Sequence, residues 1–155
     1  MTSSEIQFLA AYLADGNLKT SKTVQFNVSR NDKKLRLEAM GPRTSYVRKT
    51  LYGKNKVLAT NYTFTPPNNF NSWLDSPKSL SWKTALSWTK EQRQLFIDTY
   101  RFFDGYTRKT NGQTITTTSQ HTIDILQALL YLNRYRVSST REPNDFDGIA
   151  TKDLL

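Results

Sequence analysis

The chain has 155 residues, with 22 Lys and Arg against 13 Asp and Glu, a net charge of +9, one histidine and no cysteine. Lack of cysteine excludes disulfides, thiolate zinc sites and cysteine nucleophiles, and with His121 alone any metal should be a hard cation held by oxygen. The basic excess points to a polyanion, nucleic acid first; no apolar run nears the ~20 residues of a membrane span and no signal peptide is recognisable, so an intracellular, soluble protein is expected.

Thr2-Ser3-Ser4-Glu5 has the form of a capping box, in which hydroxyl and carboxylate satisfy open amides of a first helical turn. A helix is predicted from about Ser3 to Ala14, running through FLAAYLAD into Asp15-Gly16. An acid at that end opposes the helix dipole. Taken alone, Asp15 reads as a solvated turn former and Gly16 as an ordinary helix stop.

NLKTSK and TVQFNVSR follow as a hairpin, with Val24, Phe26 and Val28 alternating with Gln25, Asn27 and Ser29. Asn31 is expected to cap a short helix, DKKLRLEAM, that stops at Gly41-Pro42. TSYVRKTLYG and NKVLATNYTF read as two strands joined by a Gly-Lys turn, followed by a short helix about Phe70 to Leu74. SPKSLSWKTALSW reads as a connector, pinned to the core by Trp73, Trp82 and Trp88 and carrying Lys78.

Then the pattern restarts. Thr89 to Gln92 form a second capping box, opening the helix TKEQRQLFIDTYRFF that ends in Asp104-Gly105. An Asn111-Gly112 turn joins YTRKT to QTITTTS. A helix from about Gln120 to Tyr135 sets Ile123, Leu126, Leu129, Leu130 and Asn133 on one face, and His121 near its start is read as structural or exposed.

At an offset of 89 residues FLAAYLADG lies over IDTYRFFDG, Phe26 over Ile115, Ser29 over Thr118 and Leu37 over Leu126. The same offset sets SYVRKTLY over RYRVSSTR and, poorly, NKVLATNYTF over NDFDGIATKD. The expected fold class is therefore α+β: two pseudo-symmetric αββαββ repeats, residues 1–76 and 89–155, joined by a connector at 77–88, with a trimmed second half. Two Asp-Gly helix ends in equivalent places are harder to dismiss as turns than one.

Two apolar helices ending in Asp-Gly, each followed by two hairpins, resemble the LAGLIDADG homing endonucleases in their single-chain, double-motif form. The connector KSLSWKTALSWTKEQRQLFIDTYRFFDG is similar to the lysine block and second motif of intein-encoded members, although Ser81 stands where a proline is usual. The resemblance covers about residues 4 to 141. It implies two motif helices packed on a pseudo-twofold axis, with Ala10, Ala14, Thr99 and Phe103 at the crossing, and antiparallel sheets forming a DNA-binding saddle. Phe103 is bulky for such a place.

The resemblance further implies a site-specific, metal-dependent double-strand DNA endonuclease acting as a monomer. Asp15 and Asp104 would be metal ligands, one per scissile phosphate, with Mg²⁺ or Mn²⁺ between like-charged acids, and Lys78 would polarise water or steady phosphate charge. Double-stranded DNA would lie on the polar sheet faces, met by Lys22, Gln25, Asn27, Ser29, Arg43, Tyr46 and Arg48 and, in the second repeat, by Arg108, Thr110, Thr114, Thr116 and Arg136. The alternatives are a LAGLIDADG-derived maturase bound to intron RNA, a DNA-binding protein without cleavage, and a basic structural protein with a chance repeat.

Overall fold

Both capping boxes are formed in the computed structural model: Thr2 Oγ1 accepts from Glu5 N at 3.2 Å while Glu5 accepts from Thr2 N at 2.7 Å, and Thr89 and Gln92 exchange the same bonds at 3.2 and 3.0 Å. The backbone is described for residues 1–52, 55–107, 113–141 and 149–154, and side chains for residues 1–47, 58–105 and 113–138. The first cap opens α1 (Ser3–Asp15) and the second α4 (Lys90–Asp104). Between them lie β1 (Gly16–Thr20), β2 (Thr23–Val28), α2 (Asn31–Ala39), β3 (Thr44–Tyr52), β4 (Asn55–Phe64), a 3-10 turn Phe70–Trp73, β5 (Leu74–Ser76), β6 (Ser79–Leu80) and α3 (Trp82–Leu86). After α4 come β7 (Gly105–Thr107), β8 (Gln113–Thr117), α5 (Gln120–Leu132), β9 (Arg136–Arg141) and β10 (Ile149–Leu154).

Two four-stranded antiparallel sheets share one order, β1-β2-β4-β3 and β7-β8-β10-β9. Their registers carry the repeat. Gly16 faces Phe26 and Gly105 faces Ile115; Asn27 faces Asn61 and Thr116 faces Ala150; every partner is displaced by 89 residues. The poor match of NKVLATNYTF to NDFDGIATKD is thus structurally sound. The match of SYVRKTLY to RYRVSSTR is not: Thr63 faces Thr44, whereas Lys152, 89 beyond Thr63, faces Ser138, which is 94 beyond Thr44. The cause is α5, with 13 residues against the nine of α2, which delays β9.

Trimming of the second half is therefore no loss of strands: all four are present in the matching order, with β9 at six residues against nine in β3. Asn31 is the first residue of α2 rather than its cap; Arg30 holds the cap position, its side chain making no capping bond but pairing with the Asp32 carboxylate in the first turn. The helix predicted to Tyr135 stops at Leu132, where Asn133 turns inward and Arg134 takes a left-handed φ of 67°. The Gly-Lys and Asn-Gly turns lie outside the described residues.

One core joins both halves. Leu9, Ala10 and Tyr12 of α1, Val24 and Phe26 of β2, Phe96, Ile97, Tyr100 and Phe103 of α4, and Leu126 and Leu129 of α5 belong to a continuous buried cluster, with α1 packed against α4. Burying this many large apolar side chains is what the length of the chain allows, at roughly 1.5–3 kcal/mol for each one fully covered. Trp73 and Trp88 are buried; Trp82 is partly exposed and meets His121 edge-on, and the ring Nε2 of His121 lies 2.7 Å from the Leu80 carbonyl. Asn133 accepts from Arg93 Nε at 2.8 Å and donates to the carbonyl of Lys90, tying the end of α5 to the start of α4. Among the described residues no helix is long and apolar enough to cross a membrane.

Candidate active site and nucleic-acid interface

Asp15 and Asp104 are the last residues of the paired helices α1 and α4, each followed directly by a strand. Gly16 and Gly105 permit that abrupt exit, but not through a left-handed conformation, since both are extended at φ −79° and −101°. What glycine supplies is room: a Cβ on Gly16 would lie 2.8 Å from the Tyr12 Cα, and one on Gly105 2.5 Å from the Arg101 carbonyl oxygen. The reading of Gly16 as a common helix stop is corrected accordingly; the two glycines let the chain double back closely enough to hold each acid at a helix end.

Asp104 senses its surroundings. Burial first, and then the charge of Asp15, push the Asp104 carboxyl above its ordinary range, while Lys33, the Tyr100 hydroxyl at 3.4 Å and Lys78 pull it back. Lys78, in the turn between β5 and β6, has a left-handed φ of 63°, uncommon outside glycine and asparagine. Its Nζ donates to the carbonyls of Tyr12 and Leu13, the latter at 3.0 Å, and stands 5.1 Å from the Tyr12 ring centroid. Because α1 has no basic residue in its own last turn, Lys78 fills the place of its terminal cation and satisfies two carbonyls the helix leaves open. Burial draws its pKa down to about 8, against the opposing pull of Asp15 and Asp104.

Of the expected crossing residues, Ala10, Thr99 and Phe103 are fully covered and Ala14 is half-buried. Thr99 Oγ1 is buried without a partner, so this face of α4 is packed by shape rather than hydrogen bonding. Phe103 does not prise the helices apart. Its ring meets Phe102 edge-on at 5.2 Å and lies 5.9 Å from Nζ of Lys33, whose ammonium donates to Asp15 Oδ2. Lys33 was not singled out from the sequence; the available signal was the absence of any cation in the last turn of α1, which demands one from elsewhere.

Two clefts open near the end of α4, the first of them onto Asp104. One, about 460 Å³, is lined by Leu13, Ala14, Lys78, Asp104 and the hydroxyl run Thr116 to Ser119 with Thr122. The other, about 480 Å³, is lined by Arg30, Arg36, Arg101, Asp98, Phe102 and Gly105, with the Arg36 guanidinium 5.3 Å from the Phe102 ring centroid. Among the described residues no three His, Asp or Glu side chains gather into a metal-sized group, so Asp15 and Asp104 stand as a pair.

On the first sheet Asn27 and Tyr46 flank Asn61 in one cross-strand row, and Asn17, Gln25, Thr63 and Thr44 form the next. Asn27 and Tyr46 are exposed and Gln25 half-exposed. Lys22 sits in the β1–β2 turn and Ser29 just past β2, both exposed; Arg43 lies in a bend before β3, outside the strand alternation expected of it. Arg48 belongs to this face by register, opposite Ala59, with its side chain outside the described residues. Asn17 and Thr63 were missed, although alternation along β1 and β4 could have found them, whereas Asn61, between Asn27 and Tyr46, is buried with its Oδ1 unpartnered among the described residues.

On the second sheet Thr116 and Arg136 are exposed, while Arg108 and Thr110 lie outside the described residues. Thr114, expected to face solvent, is fully buried, and its Oγ1 has no partner. It is a short residue on an inner strand, in register with Tyr106 and Lys152 of its two neighbours, and there alternation does not guarantee exposure.

No protein-family model matches the sequence, and no curated protein matches it significantly. Solved structures match the fold. The homing endonuclease I-DmoI in complex with DNA and Mn superposes at a TM-score of 0.62, with 11% identity, over 99% of this chain and 91% of that one. The N-terminal LAGLIDADG domain of DUF199/WhiA superposes at 0.67, with 11% identity, over 100% and 77%. Full-length DUF199/WhiA from Thermatoga maritima gives 0.67 at 10% identity, over 98% of this chain and 51% of that one. The architecture is the LAGLIDADG fold.

Proposed function

We propose, from a LAGLIDADG fold whose two motif acids end paired helices, that the protein is a metal-dependent endonuclease cutting both strands of a specific DNA site as a monomer. The observation that carries this reading is the packing of α1 against α4, each ending in its acid, with Lys78 bonded to the end of α1 and lining the cleft of Asp104. A half-buried carboxylate held above its ordinary range by burial and then by a neighbouring acid is a place where a divalent cation relieves repulsion. The donor set is hard oxygen, which suits Mg²⁺ or Mn²⁺, and the remaining ligands would be water and phosphate.

A bound divalent ion would supply Lewis acidity, activating water and neutralising charge on the phosphate. Asp15 and Asp104 would hold such ions, one acid per scissile strand. Lys78 has a pKa near 8 and exchanges its proton close to neutrality, which suits it to move a proton at Nζ or to steady phosphate charge. Its two carbonyl contacts keep the amine from wandering.

DNA lies across the polar sheet faces. Gln25, Asn27, Tyr46, Thr116 and Arg136, with Arg48 by register, reach base edges in the major groove, and Lys22, Ser29 and Arg43 meet the backbone. The neighbours solved with DNA and Mn, Mg or Ca support this reading.

A second reading, a DNA-binding protein that no longer cuts, is favoured by one contact: Asp15 already holds the ammonium of Lys33. Selection from a randomised duplex library in Mg²⁺, recovering cut ends and retained uncut duplexes separately, decides between them. Enrichment of one sequence among cut ends supports the nuclease; enrichment only among retained duplexes supports the binder. Preferential competition by structured intron RNA at high salt would move the assignment to a maturase.

A further inference from the structure

Resting on the nuclease reading, we infer that the two acids work unequally: Lys33 holds Asp15 in a standing ion pair over the Phe103 ring, so the Asp104 side takes the metal and cuts first. The repeat makes the asymmetry visible. The α2 and α5 helices start at Asn31 and Gln120, 89 residues apart, so the counterpart of Lys33 is Thr122 and that of Phe103 is Ala14. On one side the acid meets an ammonium resting on an aromatic ring; on the other the corresponding places carry a hydroxyl and a methyl group.

The Lys33 and Asp15 side chains are only 14% and 23% exposed, so water screens this pair weakly. A cation approaching Asp15 must displace Lys33 or share the carboxylate with it against like-charge repulsion. Asp104, by contrast, has as its hydrogen-bond partner among the described residues only the Tyr100 hydroxyl at 3.4 Å, and it opens into the cleft lined by Thr122 and Lys78. Lys78 does not equalise the halves, since its Nζ is committed to the carbonyls of Tyr12 and Leu13. Lys33 is thus a positioning residue, acting through Asp15, and Phe103 is its platform.

Mn²⁺ titration of the full chain followed by electron paramagnetic resonance, without DNA, reads the claim directly. The wild type should bind one ion tightly, D15N should keep that site and D104N should lose it. K33T, which copies the second repeat, should gain a second site, and K33R should not. On the selected duplex labelled on each strand in turn, the wild type should accumulate one nicked intermediate with a strand preference of roughly tenfold or more, the worth of a charge-assisted hydrogen bond. K33T should bring the two rates together and K33R should keep them apart.

Two equivalent Mn²⁺ sites in the wild type, equal losses in D15N and D104N, or a strand preference untouched by K33T would each overturn the inference. Should no form cut DNA, the nuclease reading fails on that ground, while the Mn²⁺ titration still decides which acid is free.

Discussion

Lys78 donates to the carbonyl of Leu13 at 3.0 Å, from a loop 65 residues further along the chain, and so closes the end of the helix that delivers Asp15. The contact couples stability to pH. The folded pKa of Lys78, about 8, is below its ordinary 10.5, so the folded state binds fewer protons between those values and this lysine's contribution to stability grows as pH rises from 8 to 10.5. Below 8 the charged amine is buried at a cost. Thermal melts of wild type and K78M should therefore diverge in favour of the wild type over that window; parallel curves would contradict the assignment.

Asp104 has the opposite dependence. Its folded pKa is raised, so the protonated acid stabilises at low pH and that contribution is lost as pH rises through the folded value. At neutral pH the ionised acid is a local cost, and Asp104→Asn should raise Tm by a few degrees, on the order of 2–4 °C per kcal/mol relieved. The gain should shrink as pH falls through the folded value, where the wild-type acid takes up its proton. A variant destabilised at pH 7 would refute this.

Phe103 of α4 is buried in the common core and carries Lys33 at 5.9 Å. Phe103→Ala should cost about 3–5 kcal/mol in urea unfolding, through lost burial and the cavity left behind. A cost under ~1 kcal/mol would show that the interface closes over the gap.

Under the proposed function, the sheet face should separate specificity from attraction. Replacing Asn27 or Tyr46 by Ala should weaken binding to the selected site by about 1–3 kcal/mol with little change toward random DNA, because base contacts carry sequence information. Lys22→Ala should weaken both alike and lower the salt slope by about 1. Fluorescence anisotropy over a salt series distinguishes the two; equal effects on both duplexes from Tyr46→Ala would remove it from base readout.

Much of this arrangement was legible in the residues. Capping boxes at Thr2 and Thr89 and the alternation around Phe26 rest on contacts between near neighbours in sequence, and the 89-residue offset survives in strand registers. It fails at β9 because one extra turn of α5 pushes that strand further along the chain, and a fixed offset cannot absorb an insertion. Lys33 was invisible for a different reason: its partner is 18 residues away and its aromatic platform, Phe103, is 70 away, so only the fold unites them. The same holds for Thr114, where a polar residue on the expected face is covered by its sheet. Phe103 itself stood out in the sequence, but its size makes sense only once Lys33 lies beside it.

Under the proposed function, Asp15 and Asp104 act together in metal-dependent cutting at the paired ends of α1 and α4. Cleavage of the selected duplex in Mg²⁺ by wild type, D15N, D104N and the double variant, with DNA affinity measured alongside in chelator, tests it most directly. Complete double-strand cutting is expected of the wild type alone, with a loss of at least about 100-fold when either acid goes and DNA affinity unchanged or improved in every variant. Double-strand cutting by the double variant at the wild-type rate would contradict it.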